Sequence, residues 1–173
     1  MRIELETERL RLRPFREDDA EAMFYGWAND PEVTKYLTWD VHESIDVTRY
    51  VLKMWVDEYE QPDRINFAIE LKDSSELIGG IDVVRYVDGI PEIGYVLSKK
   101  HWGRGYMTEA CKCVLKFLFS KGFPEVMITA QCENKGSNRV IQKCGGIYQG
   151  TGDFYIELKN DTVSRNIYIV KAG

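Results

Sequence analysis

The spacing of apolar residues along this 173-residue chain changes period several times, and each change marks an element. Leu5 to Phe15 alternates around Leu10-Arg11-Leu12-Arg13, which predicts one strand with a basic face. Glu17-Asp18-Asp19 then sits where a helix N-terminus favours negative charge. Ala20, Met23, Phe24 and Trp27 follow at helical spacing until Asn29-Asp30-Pro31 stops them. Val47, Tyr50, Val51, Met54 and Trp55 form a second helical stripe, starting near Ser44 or Asp46 and ending before Pro62.

The period then drops to two. Ile65, Phe67, Ile69 and Leu71 alternate with Asn66, Ala68 and Glu70, and two more strands follow, Leu77 to Tyr86 and Ile90 to Leu97. Asp73-Ser74-Ser75 and Asp88-Gly89 are short enough to join the three as an antiparallel meander. Arg104 to Lys121 returns to helical spacing, with Gly122 and Pro124 as the stop. Val126 to Cys132 predicts a strand, Ser137 to Lys143 a short helix closed by Gly145-Gly146, and Tyr148–Leu158 and Thr162–Val170 two last strands. The order β-α-α-β-β-β-α-β-α-β-β reads as an α+β or mixed α/β fold. No repeat or linker interrupts it, so residues 1–173 are expected to form a single domain.

Composition narrows the class. Hydrophobic residues are 44% and charged residues 29% of the chain, which supports a packed core rather than disorder. Lys and Arg number 23 against 28 Asp and Glu, and a net charge of −5 argues against neutralising nucleic-acid phosphates as a way of life. No run approaches the roughly 20 apolar residues of a membrane span, and Met1-Arg2-Ile3-Glu4 leads into charged sequence rather than a signal peptide. The expectation is a cytoplasmic protein with no nucleic-acid or membrane partner. Cys111 and Cys113 sit two apart, Cys132 and Cys144 are isolated, and His42 and His101 lie far from any cysteine pair, a pattern that predicts no metal site.

The chemistry concentrates where the third meander strand runs into a helix: Ile93-Gly94-Tyr95-Val96-Leu97, a short loop, then Trp102-Gly103-Arg104-Gly105-Tyr106-Met107-Thr108-Glu109-Ala110. Glycines there let a ligand approach the backbone, and the first N–H groups of the helix have no internal partners, which suits a phosphate or pyrophosphate. A dinucleotide fingerprint would need a third glycine where Thr108 stands, and a Walker loop would need G-x-x-x-x-G-K-S/T; both are absent.

This stretch, together with Thr7-Glu8-Arg9-Leu10-Arg11-Leu12-Arg13-Pro14 and Asn134-Lys135-Gly136-Ser137 through Lys143-Cys144-Gly145-Gly146, resembles the GNAT superfamily of acyl-CoA-dependent N-acetyltransferases. The branch it looks most like holds the Rim-type ribosomal-protein N-terminal acetyltransferases and their small-molecule relatives. The likeness covers nearly the whole chain. It implies a mostly antiparallel, twisted sheet of about seven strands flanked by about four helices, splayed between the fourth and fifth strands. Two positions depart from the pattern: Met107 stands where Gly or Ala is usual in the loop, and Gly146 where Phe is usual.

The resemblance implies acetyl-CoA as co-substrate and no metal. Backbone groups of Tyr95, Val96 and Leu97 would pair with the pantetheine arm, Gly103, Arg104, Gly105, Tyr106, Met107 and Thr108 would cradle the pyrophosphate, and Asn134 would hydrogen-bond the arm. Arg104 or Lys100 would face the adenosine phosphates. A backbone N–H near Leu97 would polarise the thioester carbonyl. Ser137 stands where a hydroxyl can hydrogen-bond the departing sulfur; it also begins the short helix and would serve equally as its N-cap. The Glu/Tyr base–acid pair of some members falls on Thr129 and Ile141, so Glu92 and Glu157 are the candidate bases, although each reads more readily as a surface carboxylate or a strand-edge ion pair. A chain poor in bases favours acceptors of low amine pKa, such as α-amines near 8.

In this family the two N-terminal helices shape the acceptor pocket. Phe24, Trp27 and Trp55 fall on apolar stripes and read as core, whereas Tyr36, Trp39 and His42 lie between the helices and read as pocket. The implied reaction is transfer of acetyl to a primary amine, a protein N-terminal α-amine or a small-molecule amine, by direct attack in a ternary complex. A homodimer is common among such relatives. The missing Glu/Tyr pair and Met107 keep open a non-catalytic acyl-CoA-binding or sensing module on the same scaffold.

Overall fold

The computed structural model describes residues 2–173. Eight strands form a single sheet in the order β1-β2-β3-β4-β5-β6-β8-β7. They are β1 (Leu5–Glu6), β2 (Leu10–Arg13), β3 (Asn66–Leu71), β4 (Leu77–Val87), β5 (Ile90–Leu97), β6 (Glu125–Gln131), β7 (Ile147–Ile156) and β8 (Asp161–Lys171). Every neighbouring pair is antiparallel except β5 and β6. The helices are α1 (Ala20–Met23), α2 (Pro31–Thr34), α3 (Ile45–Glu58), α4 (Tyr106–Ser120) and α5 (Lys135–Lys143).

Both faces of the sheet are covered. Ala110, Cys111, Val114, Leu115 and Leu118 of α4 pack on one face against Leu10, Phe67, Ile81, Ile93 and Ile128. Phe15, Met23, Trp27 and Leu52, from the α1 and α3 side, pack on the other against Ala68 and Leu77. All six residues of β3 are buried, so a strand whose alternation predicts one wet face has none.

Three local features differ from the periodicity. The single opening strand is two, because Thr7 turns the chain: its N–H donates to the Leu10 carbonyl at 2.9 Å and its hydroxyl accepts from the Leu10 N–H at 3.0 Å. That raises the strand count to eight. The first helical stretch is broken into a 3-10 turn (Glu17–Asp19), α1 and a widened π turn (Phe24–Ala28), where the Asn29 N–H reaches back to the Phe24 carbonyl. Pro31 starts the extra short helix α2, with Asp30 capping it through the Glu32 N–H. The basic face of β2 is neutralised within the fold: Arg13 is buried between Asp19 (2.8 Å) and Glu70 (2.7 Å), and Arg11 pairs with Glu70 at 3.1 Å. Gly146 has a steric reason, since a Cβ there would lie 2.5 Å from Ile141 Cγ2 and 2.9 Å from the Ile141 carbonyl. Among the described residues no helix is long and apolar enough to cross a membrane, and no cluster of His, Cys, Asp or Glu can hold a metal ion.

Candidate active site

The site is made by two strands that part. β5 and β6 pair only at Glu92–Met127 and Ile93–Ile128, and beyond these each continues without the other. On its other edge β5 stays paired with β4 through Leu97. The Ser98 N–H donates to the Ile78 carbonyl, so by antiparallel alternation Val96 bonds into β4 while Tyr95 and Leu97 turn their main-chain groups to the cleft. The Leu97 carbonyl there accepts from the Trp102 indole at 2.8 Å, which leaves its N–H.

The loop from β5 to α4 ends the cleft. Gly103 and Gly105 hold left-handed φ of 73° and 80°, conformations that favour glycine. Gly105 caps α4, and the N–H groups of Tyr106, Met107 and Thr108 open the helix without helical partners. Met107 is 5% exposed in the core, so its side chain points away from the loop and leaves its N–H where a glycine's would be. Arg9 braces this turn: it pairs with Glu109 (2.7 Å), donates to the Arg104 carbonyl (3.0 Å) and lies 4.4 Å over the Tyr106 ring. Glu109 also accepts from the Thr7 hydroxyl and the Arg9 N–H. Partial burial pushes the Glu109 carboxyl up, and these bonds outweigh it and hold the group below its ordinary pKa. Lys100 is engaged by Glu76 rather than by the loop. Lys112 and Lys143, which periodicity does not single out, line a shallow hollow beside Gly105 and Thr108.

At the fork stand Tyr95, Asn134 and Ser137. The cap of α5 is Asn134, whose Oδ1 accepts from the Ser137 N–H at 3.1 Å. Ser137 is therefore not the N-cap, and its Oγ lies 2.8 Å from the Tyr95 hydroxyl. Burial raises the Tyr95 phenol well above its ordinary pKa, with the Ser137 bond opposing, so the hydroxyl stays protonated.

From the fork a cavity of about 820 Å³ runs towards α2 and α3. Trp27, Tyr36, Trp39 and Trp55 line it, whereas His42 turns away to Thr48 at 2.7 Å. Lys159, in the turn after β7, donates to the Thr34 and Lys35 carbonyls and ties that hairpin to the end of α2. Glu157 sits in the same 3-10 turn (Glu157–Lys159), exposed and not among the lining residues; the strand expected to carry it ends at Ile156. Glu92 is inside, 3% exposed, with one oxygen held by Arg85 at 2.6 Å and the other by the Thr129 hydroxyl at 2.9 Å.

The carboxylate that sequence reasoning missed is Asp82, opposite Gly94 in register. Its side chain is 26% exposed, and Arg64, itself paired with Glu58 at 2.7 Å, reaches it at 3.2 Å. Burial raises its pKa from 3.8 to about 6 against the pull of Arg64. Arg165 also lines the cavity, with no ion pair within 4 Å among the described residues; burial lowers its pKa. In the sequence Asp82 reads as the polar position of an alternating strand, and no local signal marks it.

Residues 9–147 match the family described as Acetyltransferase (GNAT) domain. The uncharacterized N-acetyltransferase YoaA of Bacillus subtilis (strain 168) is 31% identical over 169 residues, 96% of this chain and 95% of its own. A GNAT-family acetyltransferase structure from Bacillus anthracis superposes with a TM-score of 0.82 at 28% identity, covering 98% of each chain. The ribosomal L7/L12 α-N-protein acetyltransferase RimL, solved in complex with coenzyme A, gives 0.84 at 18% identity over 98% of each chain, a likeness of fold.

Proposed function

Because this chain belongs to the GNAT acetyltransferase family, we propose that it transfers acetyl from acetyl-CoA to a primary amine by direct attack within a ternary complex. The acceptor is a small-molecule amine or a protein N-terminus, and four free cysteines suit a reducing cytoplasm. The observation that carries the reading is the fork of β5 and β6, where a free strand edge and a half-buried hydroxyl pair meet one cavity, with the glycine loop following at the end of β5.

The residues present fit the coenzyme. Gly103 and Gly105 have no atom within 3.4 Å of an added Cβ, so the turn is open to a diphosphate. The N–H groups of Gly103 to Thr108 supply donors to it, with Lys112 and Lys143 alongside. Tyr95 and Leu97 offer the edge of β5 to an amide-bearing arm, as an added strand would use it. Asn134 spends its Oδ1 on the helix cap, which leaves its amide N–H groups for that arm.

Acetyl-CoA supplies an acyl carbon already bonded to a good leaving group. The Leu97 N–H, with its carbonyl already bonded to Trp102, would stabilise negative charge on the acyl oxygen. Ser137, coupled to the protonated Tyr95 hydroxyl, donates to the departing sulfur. No side chain is required to carry the acetyl group.

Calorimetry with acetyl-CoA, followed by thiol release and product mass across an amine panel, tests the proposal. The expected result is micromolar-range binding and an acetylated amine, with no stable acetyl adduct on Ser137 or a cysteine. Tight binding without thiol release above background would instead leave a coenzyme-sensing module.

A further inference from the structure

Asn66, Asp82 and Gly94 stand in one row across β3, β4 and β5. Residues directly opposite on neighbouring strands share a face, and here that face is the cavity floor, which all three line. The Val83 N–H donates to the Ile65 carbonyl, so the next pair, Asn66–Asp82, is one without main-chain bonds between its members. Side chains are closest in such pairs, with Cβ atoms about 4.5–5.5 Å apart.

Among the described residues, two polar atoms in this row are unclaimed. Asp82 Oδ2 is paired with Arg64, whereas Oδ1 faces Gly94, where an added Cβ would lie 3.9 Å from it. Asn66 is 5% exposed, and its Nδ2 has no hydrogen-bond partner among the described residues. The neighbouring carboxylate, Glu92, has both oxygens committed. A free acceptor beside a free buried donor describes the ligand's complement: N–H groups at Asp82 and an oxygen at Asn66.

We propose that Asp82 holds the acceptor amine and takes its proton, while Asn66 reads an oxygen on the next carbon, so that the substrate is a primary amine with a vicinal oxygen. An α-amino amide or a 1,2-amino alcohol fits; a plain alkyl amine or a lysine side chain does not. This rests on the transfer reading above. The nitrogen lone pair freed by Asp82 forms the C–N bond to the acyl carbon as the C–S bond breaks and its electron pair leaves on sulfur. Of the ammonium's three protons, one passes through Asp82 to water, one ends on the sulfur and one stays on the amide nitrogen. The charged groups that line the cavity with Asp82 are Glu58 of α3, Asp63 and Arg64 before β3, Arg85 and Glu92 on β4 and β5, and Arg165 on β8. A carboxyl raised to about 6 is ionised at neutral pH and is a better base than an ordinary aspartate.

The test compares kcat/KM of the full chain for ethanolamine, glycinamide, a glycine-initiated hexapeptide, n-propylamine and Nα-acetyl-lysine amide. Wild type should favour the first three by tenfold or more. Asn66→Ala should lower those three by about tenfold relative to the last two; amine basicity cannot produce this, because the same amines meet both proteins. Asn66→Ser, which keeps a donor, should recover part of the preference and guards against a merely misfolded alanine variant. Asp82→Asn should lower all rates by about 10²-fold, keep acetyl-CoA affinity by calorimetry, and lose the rise of kcat/KM through about pH 6. Glycinamide against the hexapeptide separates a small amide from a chain terminus as the source of the same chemistry. An unchanged preference in Asn66→Ala, or an intact rate and pH limb in Asp82→Asn, overturns the assignment while wild-type turnover keeps the transferase reading. Wild type that acetylates none of these but does acetylate another amine of the wider panel overturns this assignment alone; binding of acetyl-CoA with no acetylation of any amine overturns both.

Discussion

The hydroxyls of Tyr95 and Ser137 lie 2.8 Å apart where β5 leaves β6. Asn134 takes over the capping of α5, and that frees the Ser137 oxygen for Tyr95. A buried phenol that stays protonated keeps a proton within reach of the serine. Ser137→Ala should therefore lower kcat by about 10²-fold with near-normal acetyl-CoA affinity by calorimetry. Tyr95→Phe should act in the same direction with a smaller effect. An unchanged kcat in Ser137→Ala would remove the hydroxyl from the chemistry.

The loop gives a binding prediction. Gly105 holds φ of 80°, and an added Cβ would lie 3.4 Å from Arg9 Nη2, the residue that braces the turn. A β-branched residue is poorly tolerated in left-handed backbone, at a cost of about 1–2 kcal/mol before any clash. Gly105→Val should abolish acetyl-CoA binding in calorimetry while circular dichroism stays native. Arg9→Ala should raise KM for acetyl-CoA several-fold and leave kcat nearly unchanged, because Arg9 shapes the cradle without touching the fork. Normal coenzyme affinity in Gly105→Val would place the diphosphate elsewhere.

Much of this was readable in advance, and the misses have physical causes. The meander, α4 and the glycine loop are regular stretches with strong punctuation, and periodicity placed them within a few residues. Thr7 was missed because its turn is made by one side chain rather than by Gly or Pro. The π turn adds one residue to a helix, which apolar spacing barely registers. Glu157 was misplaced because alternation runs on past Ile156 into a turn. Asp82 and Asn66 look like the wet positions of alternating strands; they face a cavity only because helices cover both sides of the sheet, and coverage is a tertiary fact. The Tyr95–Ser137 contact joins residues 42 apart in sequence, beyond any local pattern.

Stability should be most sensitive at Arg13. Its guanidinium is 5% exposed and bridges Asp19 and Glu70, also nearly buried. Removing the arginine leaves Asp19 buried without its counter-charge and Glu70 with Arg11 alone, and breaking a buried pair typically costs about 3–5 kcal/mol. Arg13→Met should thus lower Tm by about 6–20 °C, at about 2–4 °C per kcal/mol for a chain of this size. Lys53→Ala, which breaks the exposed Lys53–Asp57 pair on α3, should shift Tm by no more than about 2 °C. Equal shifts in the two variants would deny the Arg13 cluster a special role.

Asp82 makes stability depend on pH in an unusual direction. Its folded pKa of about 6 lies above the ordinary 3.8, so between these values the folded protein binds more protons than the unfolded chain. The contribution of this group is fully present below about pH 4 and is lost as pH rises through about 6. The shift corresponds to at most about 3 kcal/mol. Carboxylates such as Glu76 and Glu109, whose pKa values are lowered, push stability the opposite way over acid pH, so the absolute curve mixes both. The informative quantity is the difference between wild type and Asp82→Asn, measured by urea unfolding from pH 4 to 7.5. The variant should gain on wild type steadily across that range and level off above about pH 6.5, where its advantage is largest, because an amide has no charge to desolvate. A flat difference would mean that the carboxylate of Asp82 is solvated like a surface group, and its fitness as a base would fall with it.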